Sequence, residues 1–251
     1  MIGADAALAA LINRAATAYL TAAPTYITFR ETTHVEGANK SEDINRTVSV
    51  RVADDYAVMQ DLPNGAERTG TAFPVIPFFD PFSSFSFKYF ANLKKLEIDF
   101  FPGQPYQFQF PAPDPTVNVV VPYFSFWAPR YAPDSTDDAL HLLIEPTPRT
   151  GKDDLFPSEV TEDPTTHLPS HVTLQDNGND MTIGLDYSMV NGYWVMTRGT
   201  FSATQHVAIL GAFKVSAVTT FSDFTFPATA PDPRLAGTPR PSPSETASPN
   251  P

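Results

Sequence analysis

Met181-Thr-Ile-Gly-Leu-Asp-Tyr-Ser-Met-Val-Asn-Gly-Tyr-Trp-Val-Met-Thr197 holds two strand patterns and the turn that joins them. Asn191-Gly192 parts two stretches rich in β-branched and aromatic residues, and both members of that pair tolerate the positive φ that a two-residue hairpin turn demands. Upstream, Asp176-Asn-Gly-Asn179 separates Val172–Gln175 from Met181–Tyr187 in the same manner. Downstream, Ala212 to Phe221 is the last long strand, with Phe213, Val215, Ala217 and Phe221 on one face. Hairpin after hairpin pairs sequential neighbours antiparallel, so the pattern predicts a meander and not βαβ units.

The N-terminal third follows the same grammar after one helix. Leu8, Leu11, Ile12, Ala15 and Tyr19 recur at helical spacing and form one apolar stripe. Asp5 is positioned as an N-cap, and Pro24 ends the helix soon after Leu20. Tyr26 to Val35 reads as a strand, and the polar Glu36–Asp43 as a loop. Ile44 to Val52 is a second strand, with Ile44, Val48, Val50 and Val52 facing one way and Asn45, Thr47, Ser49 and Arg51 the other. Tyr56–Leu62 is a third, closed by Asn64-Gly65.

The middle departs from this regularity. Phe73 to Tyr131 contains 18 aromatic residues and ten prolines. Strands fit at Leu96–Phe101, Tyr106–Phe110 and Val117–Val121. By contrast, Phe73-Pro-Val-Ile-Pro-Phe-Phe-Asp-Pro-Phe82 cannot be a central strand, because proline donates no ladder hydrogen bond. Loops normally run over the surface, so one this apolar is expected to cover an interior, line a pocket or meet a partner; solid core is the competing account. Phe78, Phe79, Phe82, Phe85 and Phe87, with Phe124, Phe126 and Trp127, are therefore the candidate ligand-binding residues. Arg30 joins them. It sits mid-strand in Ile27-Thr-Phe-Arg-Glu-Thr32, where an inward guanidinium would hold a polar head or a lid carbonyl and an outward one would pair with a neighbouring acid.

Composition removes several classes of function. The chain carries 28 acidic against 16 basic residues, a formal charge of −12, so no cationic face is offered to nucleic acid. It has no cysteine, which excludes disulfides, thiolate metal sites and a cysteine nucleophile. No run of about 18 apolar residues exists to span a membrane as a helix. There is no G-x-S-x-G elbow, phosphate loop, dinucleotide fingerprint or H-E-x-x-H pair, so no catalytic residue, metal or cofactor is assigned. His167 and His171 are separated by Pro169, and His34, His141 and His206 are scattered among strand patterns.

The layout as a whole resembles the bacterial lipoprotein-carrier family, the LolA-like and outer-membrane-lipoprotein-sorting proteins. The resemblance rests on the amphipathic helix, two long strands, the Pro- and Phe-rich stretch, Leu140-His-Leu-Leu-Ile-Glu-Pro146, Leu168-Pro-Ser-His-Val-Thr-Leu174, and the run from Tyr193-Trp-Val-Met196 to Asp223-Phe-Thr-Phe-Pro227. It implies a half-open antiparallel β-barrel whose apolar hollow binds lipid or lipoprotein acyl chains, with Arg30 as the position matching an early-strand arginine that contacts a lid.

The expected molecule is thus mainly β (α+β). Residues 1–228 form an incomplete antiparallel barrel with an N-terminal helix and an aromatic, Pro-rich lid, and residues 229–251 form a Pro-rich disordered tail. Its expected role is that of a monomeric, extracytoplasmic, non-catalytic carrier, periplasmic or at the cell surface, with a signal peptide removed. Two alternatives stay open: a structural or protein-interaction module of the cell envelope with a solid aromatic core, and a hydrolase of undefined type.

Overall fold

At the turn that opens the sequence reading, Asn191 and Gly192 both take positive φ, 51° and 86°. The strands they join, Met181–Val190 and Tyr193–Val207, pair antiparallel from Val190↔Tyr193 to Met181↔Ala203. The computed structural model describes residues 3–21, 24–37, 41–54, 56–63, 65–71, 86–90, 95–99, 106–109, 127–150, 155–178, 180–207 and 211–237.

In chain order the elements are α1 (Ala4–Thr21), β1 (Tyr26–Glu36), β2 (Ser41–Arg51), β3 (Tyr56–Leu62), β4 (Glu67–Thr71), β5 (Ser86–Phe90), β6 (Lys95–Asp99), β7 (Tyr106–Gln109), β8 (Trp127–Tyr131), β9 (His141–Pro146), β10 (Leu155–Glu162), β11 (Pro169–Asp176), β12 (Met181–Val190), β13 (Tyr193–Val207) and β14 (Gly211–Thr225). One 11-stranded sheet runs β4-β3-β2-β1-β14-β13-β12-β11-β10-β9-β8, and β5-β6-β7 form a small meander of their own. Among the described residues every ladder is antiparallel, and the large sheet runs from β4 to β8 without those two strands pairing, so it is an open half-barrel. The one non-sequential neighbour, β1 beside β14, brings the two ends of the meander together.

Because side chains alternate faces with a period of two, the register fixes which residues share a face. One row can be followed through nine strands: Ile44, Thr33, Thr219, Gly199, Leu185, Val172, Val160, Leu142 and Tyr131. This is the inner face. At its β8 end, Ala7, Leu8 and Leu11 of α1 pack on Trp127, Leu142, Ile144, Phe156 and Val160. Farther along, Leu174, Ile183, Phe201 and Ala217 form a second cluster, and Val48, Val50 and Ala57 a third.

The structure differs from the sequence expectations in three places. Asp5 lies inside the first helical turn and not at the cap, since the helix already opens with Ala7 N–H donating to the Gly3 carbonyl at 3.0 Å. Phe87, expected in an irregular lid, lies in β5 with Ile98 of β6 opposite, because the proline-free Ser86–Phe90 stretch is free to pair. The disordered tail was expected from residue 229, yet residues 229–237 are ordered. Asp232 caps a 3-10 turn at Pro233–Leu235, Leu235 is fully buried, and its carbonyl accepts from Arg51 Nη1 at 2.9 Å. One leucine and one capping carboxylate anchor what composition alone marks as a tail.

Candidate functional site

The inner face is apolar along most of its length and changes character beside β1. In the strand order β3, β2, β1, the inward residues Asp61, Arg46 and Glu31 are cross-strand partners on one row. Val48 and Phe29 stand on one side of that row, Ile44 and Thr33 on the other. Arg46 is only 4% exposed, and so is Glu31. The Arg46 Nε lies 3.6 Å from an Asp61 oxygen and 4.0 Å from a Glu31 oxygen, near enough for charge attraction and too far for a hydrogen bond. Nη1 points to the Met59 sulfur at 3.8 Å. Nε and Nη2 have no hydrogen-bond partner, although a buried guanidinium ordinarily uses its donors.

Glu31 is a carboxyl held in a poor environment for charge. Burial pushes its pKa above the ordinary carboxylate value, against the pull of Arg46 and of the Thr33 hydroxyl, while Asp61 adds a further upward push. Thr33 donates to Glu31 at 3.3 Å and shares a 2.9 Å hydrogen bond with Thr219 on β14. The result is a polar island of one guanidinium, two carboxyls and two hydroxyls set into an otherwise apolar wall.

Gly199 adds to the picture from the middle of the wall. It faces inward on β13 and is buried, and a Cβ built on it meets no atom within 4 Å among the described residues. Phe29, Val35, Met59, Val172, Met181, Leu185 and Ala203 on the same face are each partly accessible.

The sequence-derived site residues fall differently. Arg30 is exposed on β1, on the face opposite Glu31, and is cross-strand to Thr47 and Ser222. Trp127 is 2% exposed and sits under α1. Phe87 lies on β5. Phe78, Phe79, Phe82, Phe85, Phe124 and Phe126 are outside the described residues. Arg46 was missed, although its position carried a signal: it occupies the same alternation phase as Ile44, Val48 and Val50, so a charge stands where the pattern calls for a hydrophobe.

Acid–histidine pairs occur elsewhere. His141 bridges Asp134 (2.7 Å) and Glu159 (2.9 Å), and His34 meets Asp43 at 2.5 Å. His171 bonds Asp186 through Nδ1 and the Thr173 hydroxyl through Nε2 at 2.9 Å, while Arg198 holds the other Asp186 oxygen at 3.2 Å. That hydroxyl–imidazole–carboxylate series has the bonding order of a hydrolytic triad. It lies on the outer face of β11 and β12, whose flanking strands β10 and β13 tie up their backbone N–H groups in ladders. The space beside it is closed, since a Cβ on the adjacent Gly184 would stand 2.5 Å from Thr200 Oγ1 and 3.5 Å from the His171 ring. The series is a cross-strand brace. Among the described residues no group of His, Asp and Glu is arranged to hold a metal ion, and no helix is long and apolar enough to cross a membrane.

Among solved structures, the chain is similar to a LolA superfamily protein from Nitrosomonas europaea, at 11% identity, covering 94% of this chain and 99% of that one with a TM-score of 0.40. It is similar to a DUF1329 family protein from Desulfovibrio piger at 10% identity, covering 90% and 96% with a TM-score of 0.43. A domain from Vibrio parahaemolyticus described as outer membrane lipoprotein-sorting matches at 12% identity, covering 93% and 97% with a TM-score of 0.44. No family model matches the chain. No curated relative matches it either. The likeness is one of outline, and the chemistry rests on this chain's own side chains.

Proposed function

We propose that this protein is a non-catalytic binding protein that holds an apolar ligand, an acyl chain first of all, against the inner face of its half-barrel. The observation that carries the reading is the inner face itself: hydrocarbon side chains surround its polar residues from β2 to β8, several of them are partly accessible, and a Cβ on Gly199 meets no atom within 4 Å among the described residues. Burying a methylene is worth about 0.8 kcal/mol, so a chain laid along such a wall gains affinity by length and bulk more than by head group. A carrier of lipid or lipoprotein acyl chains, working outside the cytoplasm in the periplasm or at the cell surface, is the role this chemistry suits. The acidic charge of −12 suits a carrier that does not adhere to anionic membrane surfaces.

The test is direct. N-phenylnaphthylamine, a neutral probe that fluoresces in apolar surroundings, is expected to bind the native protein and to be displaced by dodecane and by methyl dodecanoate. Gly199→Leu, whose Cβ meets no atom within 4 Å among the described residues, is expected to weaken that binding at least tenfold while leaving the thermal unfolding midpoint in place. A second reading, a structural or protein-interaction module with a solid interior, draws on the completeness of burial at Ile183 (0%), Val48 (1%) and Phe201 (3%). On that reading the probe fails to bind and Gly199→Leu changes nothing.

A further inference from the structure

We propose that Arg46 is a subsite that grips a neutral hydrogen-bond acceptor, the carbonyl oxygen of an ester or amide, on the ligand lying along the inner face. The inference rests on the binding reading above and deepens it by naming the polar chemistry of the ligand.

The argument starts from the unused donors. Arg46 is 96% covered, yet Nε and Nη2 find no acceptor. An unmade hydrogen bond from a buried charged donor is costly, and folded chains rarely leave one without a use. Conformational freedom does not resolve it, since the side chain is bracketed by Met59 at Nη1 and by two carboxyls near Nε. Arg46 shares its face with Val48 and Phe29 on one side and Ile44 and Thr33 on the other, the surface along which a chain-like ligand would lie.

Charge then selects the acceptor. Asp61 lies 3.6 Å from the guanidinium and offsets it. Glu31 lies at 4.0 Å, its pKa pushed up by burial. The guanidinium thus already has two carboxyls beside it. A carboxylate or phosphate brought to Arg46 would stand beside Asp61 and would press a second charge into the low-dielectric wall. An ester or amide carbonyl accepts from Nε or Nη2 with no charge to bury. The subsite thus takes acylated molecules by their linkage and disfavours free fatty acids.

The experiment compares dodecane, methyl dodecanoate and dodecanoate as competitors of N-phenylnaphthylamine. They are measured on the native chain and on the double variant Arg46→Met, Asp61→Asn, which removes both charges together. The ratio of ester to alkane affinity is expected to fall about tenfold or more in the double variant, as loss of a hydrogen bond to a charged group entails. In the native chain the free acid is expected to bind more weakly than the ester. An unchanged ratio overturns the subsite while leaving the binding reading standing, whereas failure of both dodecane and the ester to compete in the native chain overturns both. Should the double variant not fold, the infrared band of carbonyl-labelled methyl dodecanoate bound to the native chain decides. A band shifted to lower frequency than in hexane is the expected result, and an unshifted band overturns the proposal.

Discussion

The two ends of the inner wall are built from opposite materials. Toward β8 the wall is covered by α1, and the centre of the contact is hydrocarbon: Ala7, Leu8 and Leu11 against Trp127, Leu142, Ile144, Phe156 and Val160. Toward β3 the wall holds Arg46, Glu31, Thr33 and Thr219, buried as deeply as those hydrocarbons, with the half-buried Asp61 beside them. The first arrangement is what a sheet does to become stable. The second lowers stability unless something offsets it, because charges removed from water regain the loss only with good geometry and full hydrogen bonding. Arg46 has neither in full, and a ligand at the proposed subsite is what would offset that loss.

The largest expected effect comes from breaking the polar end alone. Arg46→Met strands Asp61 and Glu31 in the wall and is expected to cost about 3–5 kcal/mol in urea unfolding. The double variant with Asp61→Asn is expected to recover most of that loss, because a balanced removal leaves no lone charge. Equal losses in the single and double variants would mean that packing, and not charge, dominates there.

At the other end, Leu11→Ala is expected to cost about 2–5 kcal/mol by opening a cavity beneath α1. It is also expected to leave the ester-to-alkane affinity ratio unchanged, because Leu11 belongs to the hydrocarbon contact and not to the island. A changed ratio would mean that the two ends are coupled. A smaller effect follows at the clasp holding α1 to the sheet, where Arg14 donates to the buried Glu162 carboxylate at 2.7 Å and to the His167 carbonyl at 2.7 Å. Glu162 also accepts from the Leu140 N–H at 3.2 Å. Glu162→Gln is expected to cost about 1.5–3 kcal/mol, read by the same unfolding measurement.

Legibility from sequence follows the same division. The hydrocarbon end could be read, because periodicity reports burial directly: Leu8 and Leu11 at helical spacing, and Leu142 and Ile144 at strand spacing, fall where the pattern puts them. The Asn191-Gly192 turn could be read because few residue pairs accept two positive φ values in succession. The polar end resisted. In β1 the inward residues are Phe29, Glu31, Thr33 and Val35, so two polar residues in succession interrupt the apolar phase and alternation loses contrast. Arg30 drew attention as a lone mid-strand cation, whereas the buried one was Arg46, cross-strand to Glu31 and one strand over. Only the phase of Ile44, Val48 and Val50 distinguishes the two arginines. The anchoring of Leu235 was hidden for a different reason: its partner Arg51 is distant in sequence, and composition averages a single buried leucine away.

The finest distinction between the two ends is a response to pH. Glu31 has a folded-state pKa above its ordinary 4.5, chiefly because burial disfavours its charge. Below that ordinary value both the folded and unfolded chains hold the proton, and Glu31 adds no pH dependence. As pH rises past it, the unfolded chain releases the proton first, so the unfolded state is favoured and stability falls until the folded-state value is passed. Glu31→Gln cannot ionise and lacks this decline. The stability of the variant relative to the native chain is therefore expected to improve as pH rises past that ordinary value of 4.5. Asp232 is the opposite case, held down to about 2 by hydrogen bonds from Arg234. Its contribution is present above the ordinary carboxylate range and is lost as pH falls toward that value, so Asp232→Asn is expected to harm the chain at neutral pH and not in acid. Thermal midpoints of both variants across that range test the contrast. A Glu31→Gln difference that stays flat with pH would mean that Arg46 keeps Glu31 ionised, and that the polar end of the wall is a plain ion cluster.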